Sequence, residues 1–222
     1  ITSLAPSLVQ LKTTTEIVKR LKGIKVNANV TLGNVSKEGE LLFTEYGLSG
    51  PPIFYLSAYL KNQKHIYVDL MPEYTLPQIE KLLFSRRNLM SDETIESFLV
   101  GMLNKKAGQT IMKQLNIAPL SRLGSTLSKQ ELHMIAQTIK HWSFEITGTM
   151  SWNNAQVTKG GAKTSEFNSE TLESKIVPGL FAAGEILDID GDCGGFNLQW
   201  AWSSGYTAGI HAAEKAMLLQ TL

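Results

Sequence analysis

Val177-Pro-Gly-Leu-Phe-Ala-Ala-Gly-Glu185 is an uncharged stretch that ends on a carboxylate, and nine residues on comes Gly194-Gly-Phe-Asn-Leu-Gln-Trp-Ala-Trp-Ser-Ser-Gly205. Residues 180–183 are continuously apolar, which predicts a strand buried on both faces of a parallel sheet. The strand would end at Gly184-Glu185, and in open α/β sheets ligands sit at the carboxyl ends of strands. A carboxylate there accepts hydrogen bonds from sugar or sugar-alcohol hydroxyls. After Gly194-Gly195 a long helix is predicted over residues 196–219. Its start at Phe196, Asn197 and Leu198 carries free N–H groups and partial positive charge directed back at the strand end. Strand, Gly-Glu end, glycine loop and helix start read as one binding constellation. A generic βα unit is the alternative.

The helix carries Ala201, Ser204, Gly205, Ala208, Gly209 and Ala212 on one face, a stripe small enough for close approach of another element. Gly205-x-x-x-Gly209 would suggest membrane packing only within an apolar span, and Gln199, His211, Glu214 and Lys215 argue against one. Upstream, residues 155–158 read as a short strand entering Lys159-Gly160-Gly161, where paired glycines admit a flat ligand or another strand. Asp188, Asp190 and Asp192 have the spacing of a calcium loop. That loop needs glycine at position 6 and glutamate at position 12, where this chain has Cys193 and Gln199, so no metal site is expected.

Residues 24–32 alternate apolar and polar, the signature of a half-buried strand. Gly33-Asn34 then turns the chain toward a partner strand at residues 40–44, and residues 65–70 read as a third strand. Pro51-Pro52 predicts a helix to about Leu60. Thr75, Ser91 and Ser128 are candidate helix caps, the last forming a capping box with Glu131. The run Thr44-Glu-Tyr-Gly-Leu-Ser-Gly-Pro51 places glycines at a strand-to-helix junction, readable as an anion-holding loop or as a tight turn. Arg86-Arg87, Lys105-Lys106 and residues 61–65 are scattered basic clusters that read as solvated helix ends. His65, His133, His141 and His211 lack metal-ligand spacing.

Charge divides the chain. Residues 1–147 hold 17 Lys+Arg against 12 Asp+Glu, and residues 148–222 hold 4 against 8, with ten of the 18 glycines between Gly148 and Gly209. Two domains are expected, 1–147 and 148–222. The net charge of +1 gives no reason to expect nucleic acid or an anionic membrane. The single cysteine, Cys193, excludes an internal disulfide. The first residues, Ile1-Thr-Ser-Leu4, hold no initiator Met, so the chain is expected to be an excerpt of a longer one.

Val157-Thr-Lys-Gly-Gly161, Val177 to Glu185, Asp188-Ile-Asp-Gly191 and Gly194 to Gly205 together resemble the C-terminal part of bacterial aminoacetone-oxidase-like, NAD(P)/FAD-dependent oxidoreductase flavoproteins. Residues 4–9 and 43–51 are similar to the inserted domain of that family. The resemblance implies an α+β and α/β chain. A small antiparallel, β-rich insert with helices (1–147) would precede the C-terminal segment of a Rossmann-like, two-segment FAD-binding domain (148–222). The N-terminal segment with its Gly-x-Gly-x-x-Gly turn is absent from these 222 residues. The family commonly has histidine where this chain has Glu45.

By the same resemblance, Gly184 permits close approach of FAD and Glu185 holds ribityl hydroxyls. Gly194, Gly195, Phe196, Asn197 and Leu198 offer backbone N–H groups to the flavin, and Thr158, Gly160 and Gly161 lie beside the isoalloxazine. NAD(P)H is the implied electron donor, the substrate a small molecule, the compartment the cytoplasm, and the missing FAD-domain segment the partner. No residue is singled out as catalytic. The competing expectation is a non-catalytic fragment or binding module that cannot hold FAD alone.

Overall fold

The alternating run of residues 24–32 folds into the longest hairpin of a closed barrel. The computed structural model describes residues 1–90 and 92–220. Its strands are β1 Ala5–Ser7, β2 Leu11–Thr13, β3 Lys25–Leu32, β4 Val35–Phe43, β5 Gly47–Ser49, β6 His65–Asp69, β7 Trp142–Thr149 and β8 Val157–Lys159. The α-helices are α1 Thr15–Val18, α2 Pro51–Ser57, α3 Leu76–Leu89, α4 Lys105–Gln114, α5 Lys129–Lys140 and α6 Phe196–Gln220. The chain falls into two units, Gln10–Met150 on the one hand and Ile1–Val9 with Ser151–Leu222 on the other. The fold is α+β.

In the first unit, antiparallel strands close a barrel in the order β2-β5-β4-β3-β6-β7. Every second residue points inward, so Ala28, Val30, Leu32, Ile66, Val68, Trp142 and Phe144 are buried. Phe43, Trp142 and Phe144 meet in tilted pairs with ring centroids 5.2–6.0 Å apart, a geometry that aromatic quadrupoles favour. The expected partner strand of residues 40–44 is the end of the longer β4. The helix at Pro51 stops at Ser57 instead of reaching Leu60. At the Thr44–Pro51 junction the glycines serve the tight-turn alternative. A Cβ on Gly50 (φ +106°) would lie 2.3 Å from the Glu40 carbonyl oxygen.

Helices α3, α4 and α5 complete this unit. The Ser128 box forms as expected, with Glu131 N–H donating to Ser128 Oγ at 3.1 Å and Ser128 N–H to Glu131 Oε2 at 2.7 Å. Thr75 N–H likewise donates to Gln78 Oε1 at 2.8 Å. The Ser91 cap lies outside the described residues, and the helix expected after it does not form. Residues 92–103 run through turns instead. Tertiary bonds win over helical spacing: Ile95 N–H donates to Arg122 O and Glu96 N–H to Leu120 O, while the Arg86 guanidinium donates to the carbonyls of Phe98 and Val100.

In the other unit β1 pairs antiparallel with β8, Pro6 opposite Thr158. That pairing places the first nine residues with this unit, so the expected split at 147/148 becomes a boundary at 150/151 with a strand returned from the chain start. The strand expected over residues 180–183 is not formed. Only Phe181 pairs, in one antiparallel bridge to Glu173, and Leu180 is about half exposed. A run of residues becomes a strand only when a neighbour supplies a ladder of backbone bonds, and among the described residues this run has that single bridge. The buried cluster here is small, with Leu172, Leu187 and Ala208 at its centre.

Candidate functional site

The second unit is organised by the start of α6, a 25-residue helix. Gly194 (φ +130°) and Gly195 (φ +96°) turn the chain into it, conformations that L side chains rarely adopt. Gln199 N–H makes the first intrahelical bond, to the Gly195 carbonyl at 3.0 Å. The amides of Phe196, Asn197 and Leu198 precede it and have no intrahelical acceptor. Asn197 ties the incoming loop, its side chain accepting from Gly191 N–H at 2.8 Å and donating to Gly191 O at 2.9 Å.

Beside this helix start lies a cavity of about 350 Å³. Its apolar wall is Leu8, Val157, Leu198, Trp200 and Ala201, and its polar rim includes Glu185, Gln156, Asp192 and Asn197. Of the sequence-derived site residues, Glu185, Gly194, Gly195, Asn197 and Leu198 line it together. Phe196 points outward, 63% exposed. Gly184 is buried behind the wall rather than on it. Thr158 touches the site through its backbone, donating N–H to Glu185 Oε1.

Gly160 and Gly161 do not line the cavity. A Cβ on Gly160 would meet the Ser3 carbonyl oxygen at 2.3 Å, and one on Gly161 the Ile186 carbonyl oxygen at 2.6 Å. Of the two uses open to paired glycines, the close approach here is to protein backbone. Sequence reasoning misses Trp200 and Ser204 as site residues, yet both hold Gly184. Trp200 Nε1 donates to Gly184 O at 3.1 Å, and Gly184 N–H donates to Ser204 Oγ at 2.8 Å.

The small-residue stripe divides. Ser204 and Ala208 are buried within their own unit, whereas a Cβ added to Gly205 or Gly209 would meet nothing within 4 Å. On that open side Trp202 and Tyr206 are 69% and 74% exposed. Among the described residues no group of three or more His, Cys, Asp or Glu could hold a metal ion, and no helix is long and apolar enough to cross a membrane. At the far end of the unit, Lys215 together with the Gly179 amide holds the Glu173 carboxyl below its ordinary value.

A closed antiparallel barrel with helices, joined to a unit whose pocket is built at a glycine-led helix start, defines a two-unit α+β chain. It belongs to the HI0933-like family: residues 5–157 match the family model described as the HI0933-like protein barrel and H2TH domain. It is similar to a 3-dehydro-bile acid delta(4,6)-reductase of Clostridium scindens, 34% identical over 224 residues, 95% of this chain and 54% of that protein. It is also similar to the ribosomal RNA dihydrouridine synthases of Haemophilus influenzae (32% identical over 203 residues, 91% of this chain and 49% of that protein) and Escherichia coli (33% over 193 residues, 86% and 47%). The chain therefore spans about half the length of the curated relatives it matches. These relatives carry names for reductions, not for aminoacetone oxidation.

Proposed function

We propose that this chain forms part of an FAD-dependent oxidoreductase that reduces a carbon–carbon double bond conjugated to a carbonyl in a small molecule. The pocket carries the reading: a carboxylate, a glycine-led helix start and an apolar wall converge on one cavity. The relatives' names share one chemistry, since a 3-oxo-4,6-diene and the uracil ring both present an electron-poor double bond beside a carbonyl. Two of those names specify ribosomal RNA. The four basic against eight acidic residues of residues 148–222 favour a small, uncharged or cationic substrate over a polyanion.

The residues present fit a flavin. Glu185 gives one carboxylate oxygen to the Thr158 amide, and its other oxygen is suited to a ribityl hydroxyl. The amides of Phe196, Asn197 and Leu198 favour negative charge at the helix start, an interaction worth about 0.3–2 kcal/mol. At about 1.4 kcal/mol per 30 mV for a two-electron couple, that moves a potential by tens of millivolts at most. Leu8, Val157, Leu198 and Trp200 give the cavity an apolar wall, against which a bound ring would exclude water and strengthen each of these interactions. Bound FAD supplies hydride transfer at N5, with NAD(P)H as the electron source. The open, aromatic side of α6 receives the other segment of the FAD-binding domain.

The test uses the protein with its natural termini. Expected are a flavin absorbance near 450 nm, typical of flavins, bleaching by NAD(P)H without oxygen, and recovery on adding an α,β-unsaturated ketone. Recovery with ribosomal RNA alone would overturn the small-molecule assignment. Bleaching by aminoacetone in place of NAD(P)H would replace it with an amine-oxidase reading.

A further inference from the structure

We infer that Trp200 and Ser204 are positioning residues, which hold the Gly184 turn and so aim the Glu185 carboxylate into the cavity. The cofactor they serve rests on the FAD reading above, but the clamp itself does not. Gly184 has φ +70° and opens a single 3₁₀ turn, Gly184–Ile186. A sheet would normally fix the end of the run leading into it. Here, among the described residues, that run has the single Glu173–Phe181 bridge, closed by Ser174 N–H to Leu180 O at 2.7 Å and Ala182 N–H to Leu172 O at 3.2 Å. The turn is held from α6 instead. Ser204 Oγ accepts the Gly184 N–H at 2.8 Å while donating to Trp200 O at 2.5 Å. The hydroxyl proton is thereby committed to the helix, and a lone pair faces the glycine amide.

The Gly184 carbonyl is held from the same face, one helical turn away. It accepts Trp200 Nε1–H at 3.1 Å together with Leu187 N–H at 3.2 Å. Residues 200 and 204 are i, i+4 neighbours, so the two side chains lie one above the other and grip both polar groups of one peptide residue. Ser204 is 2% exposed, so water cannot replace its hydroxyl cheaply. The next residue, Glu185, lines the cavity beside the Trp200 ring. Moving Gly184 moves that carboxylate.

Two measurements on the protein with its natural termini test this. In cofactor-free protein, the Gly184 amide should exchange with solvent about tenfold faster in Ser204→Ala, a loss of about 1.4 kcal/mol. Ser204→Thr, which keeps the hydroxyl, should restore slow exchange, and Ser203→Ala should leave it unchanged. Second, Ser204→Ala and Trp200→Phe should each weaken FAD binding about tenfold, and neither should matter further in a Glu185→Ala background. Unchanged Gly184 exchange in both Ser204→Ala and Trp200→Phe overturns the clamp, and additive losses with Glu185→Ala overturn its action through the carboxylate. Wild-type protein that binds no FAD sinks the cofactor reading, while the exchange arm still decides the clamp. Should Ser204→Ala fail to fold, Ser204→Cys, of similar size but a weak acceptor, carries the exchange measurement and Trp200→Phe the FAD measurement.

Discussion

Trp142 donates its indole N–H to Gln114 Oε1 at 2.7 Å, so the largest fully buried side chain is tied to the last residue of α4. The ring otherwise sits among Phe43 and Phe144, where an unpaired N–H would cost about 1–3 kcal/mol. Gln114→Leu should therefore destabilise the barrel unit by about that amount in urea titrations followed by tryptophan fluorescence. Equal midpoints for the two proteins would show that the bond carries no net stability.

Two glycines with left-handed backbone separate strain from collision. Gly23 (φ +82°) has open space where a Cβ would go, whereas at Gly50 that atom would sit 2.3 Å from a backbone oxygen. Gly23→Ala should cost about 1–2 kcal/mol, and Gly50→Ala about 2–4 kcal/mol because overpacking adds to strain. Thermal melts rank the two, and the reverse order would contradict the close approach of β4 to the Gly50 turn.

Acid should weaken the barrel unit through Glu131. Burial alone would raise this carboxyl, but the Arg122 guanidinium and the Ser128 hydroxyl and amide hold it below its ordinary 4.5. A depressed carboxylate stabilises the fold above its unfolded value, and that contribution is lost as pH falls through the folded one. Melting temperature should drop below about pH 4.5 in the wild type, and Glu131→Gln should flatten that acid limb while lowering the neutral plateau. Identical acid limbs would remove Glu131 from the account.

The two sides of α6 should respond oppositely to bulk. Ala208 is 7% exposed against Leu172 and Leu187, so Ala208→Leu should cost about 1–3 kcal/mol by overpacking in the chain itself. Gly205 faces open space, and Gly205→Leu should leave the melt of the cofactor-free chain intact. In the protein with its natural termini, the same change should release FAD on gel filtration if the other FAD-domain segment docks there. Full flavin retention would place the docking face elsewhere.

The hairpin of β3 and β4, helix α6 and the Ser128 cap are legible in the sequence because each rests on a local period or spacing. Barrel closure is not, since β2 and β5 are three residues each and too short to show alternation. Residues 180–183 mislead for a related reason: an uninterrupted apolar run does not by itself distinguish a strand from a partly exposed connection. At the site, glycine placement and helix-start logic reach Glu185, Gly194 and Leu198. They do not reach Trp200 and Ser204, because within a small-residue stripe Ser204 reads as a spacer. The i, i+4 spacing of those two residues opposite a Gly-Glu turn is the available signal.

Closure of the barrel leaves Gln10 and Met150 side by side, with Met150 N–H donating to Gln10 O at 2.9 Å. Entry and exit of the 141-residue unit Gln10–Met150 thus share one doorway. Such a unit can be excised and its ends joined by a short linker, as circular permutation requires. It can also be exchanged between relatives as a cassette with only two junctions to match.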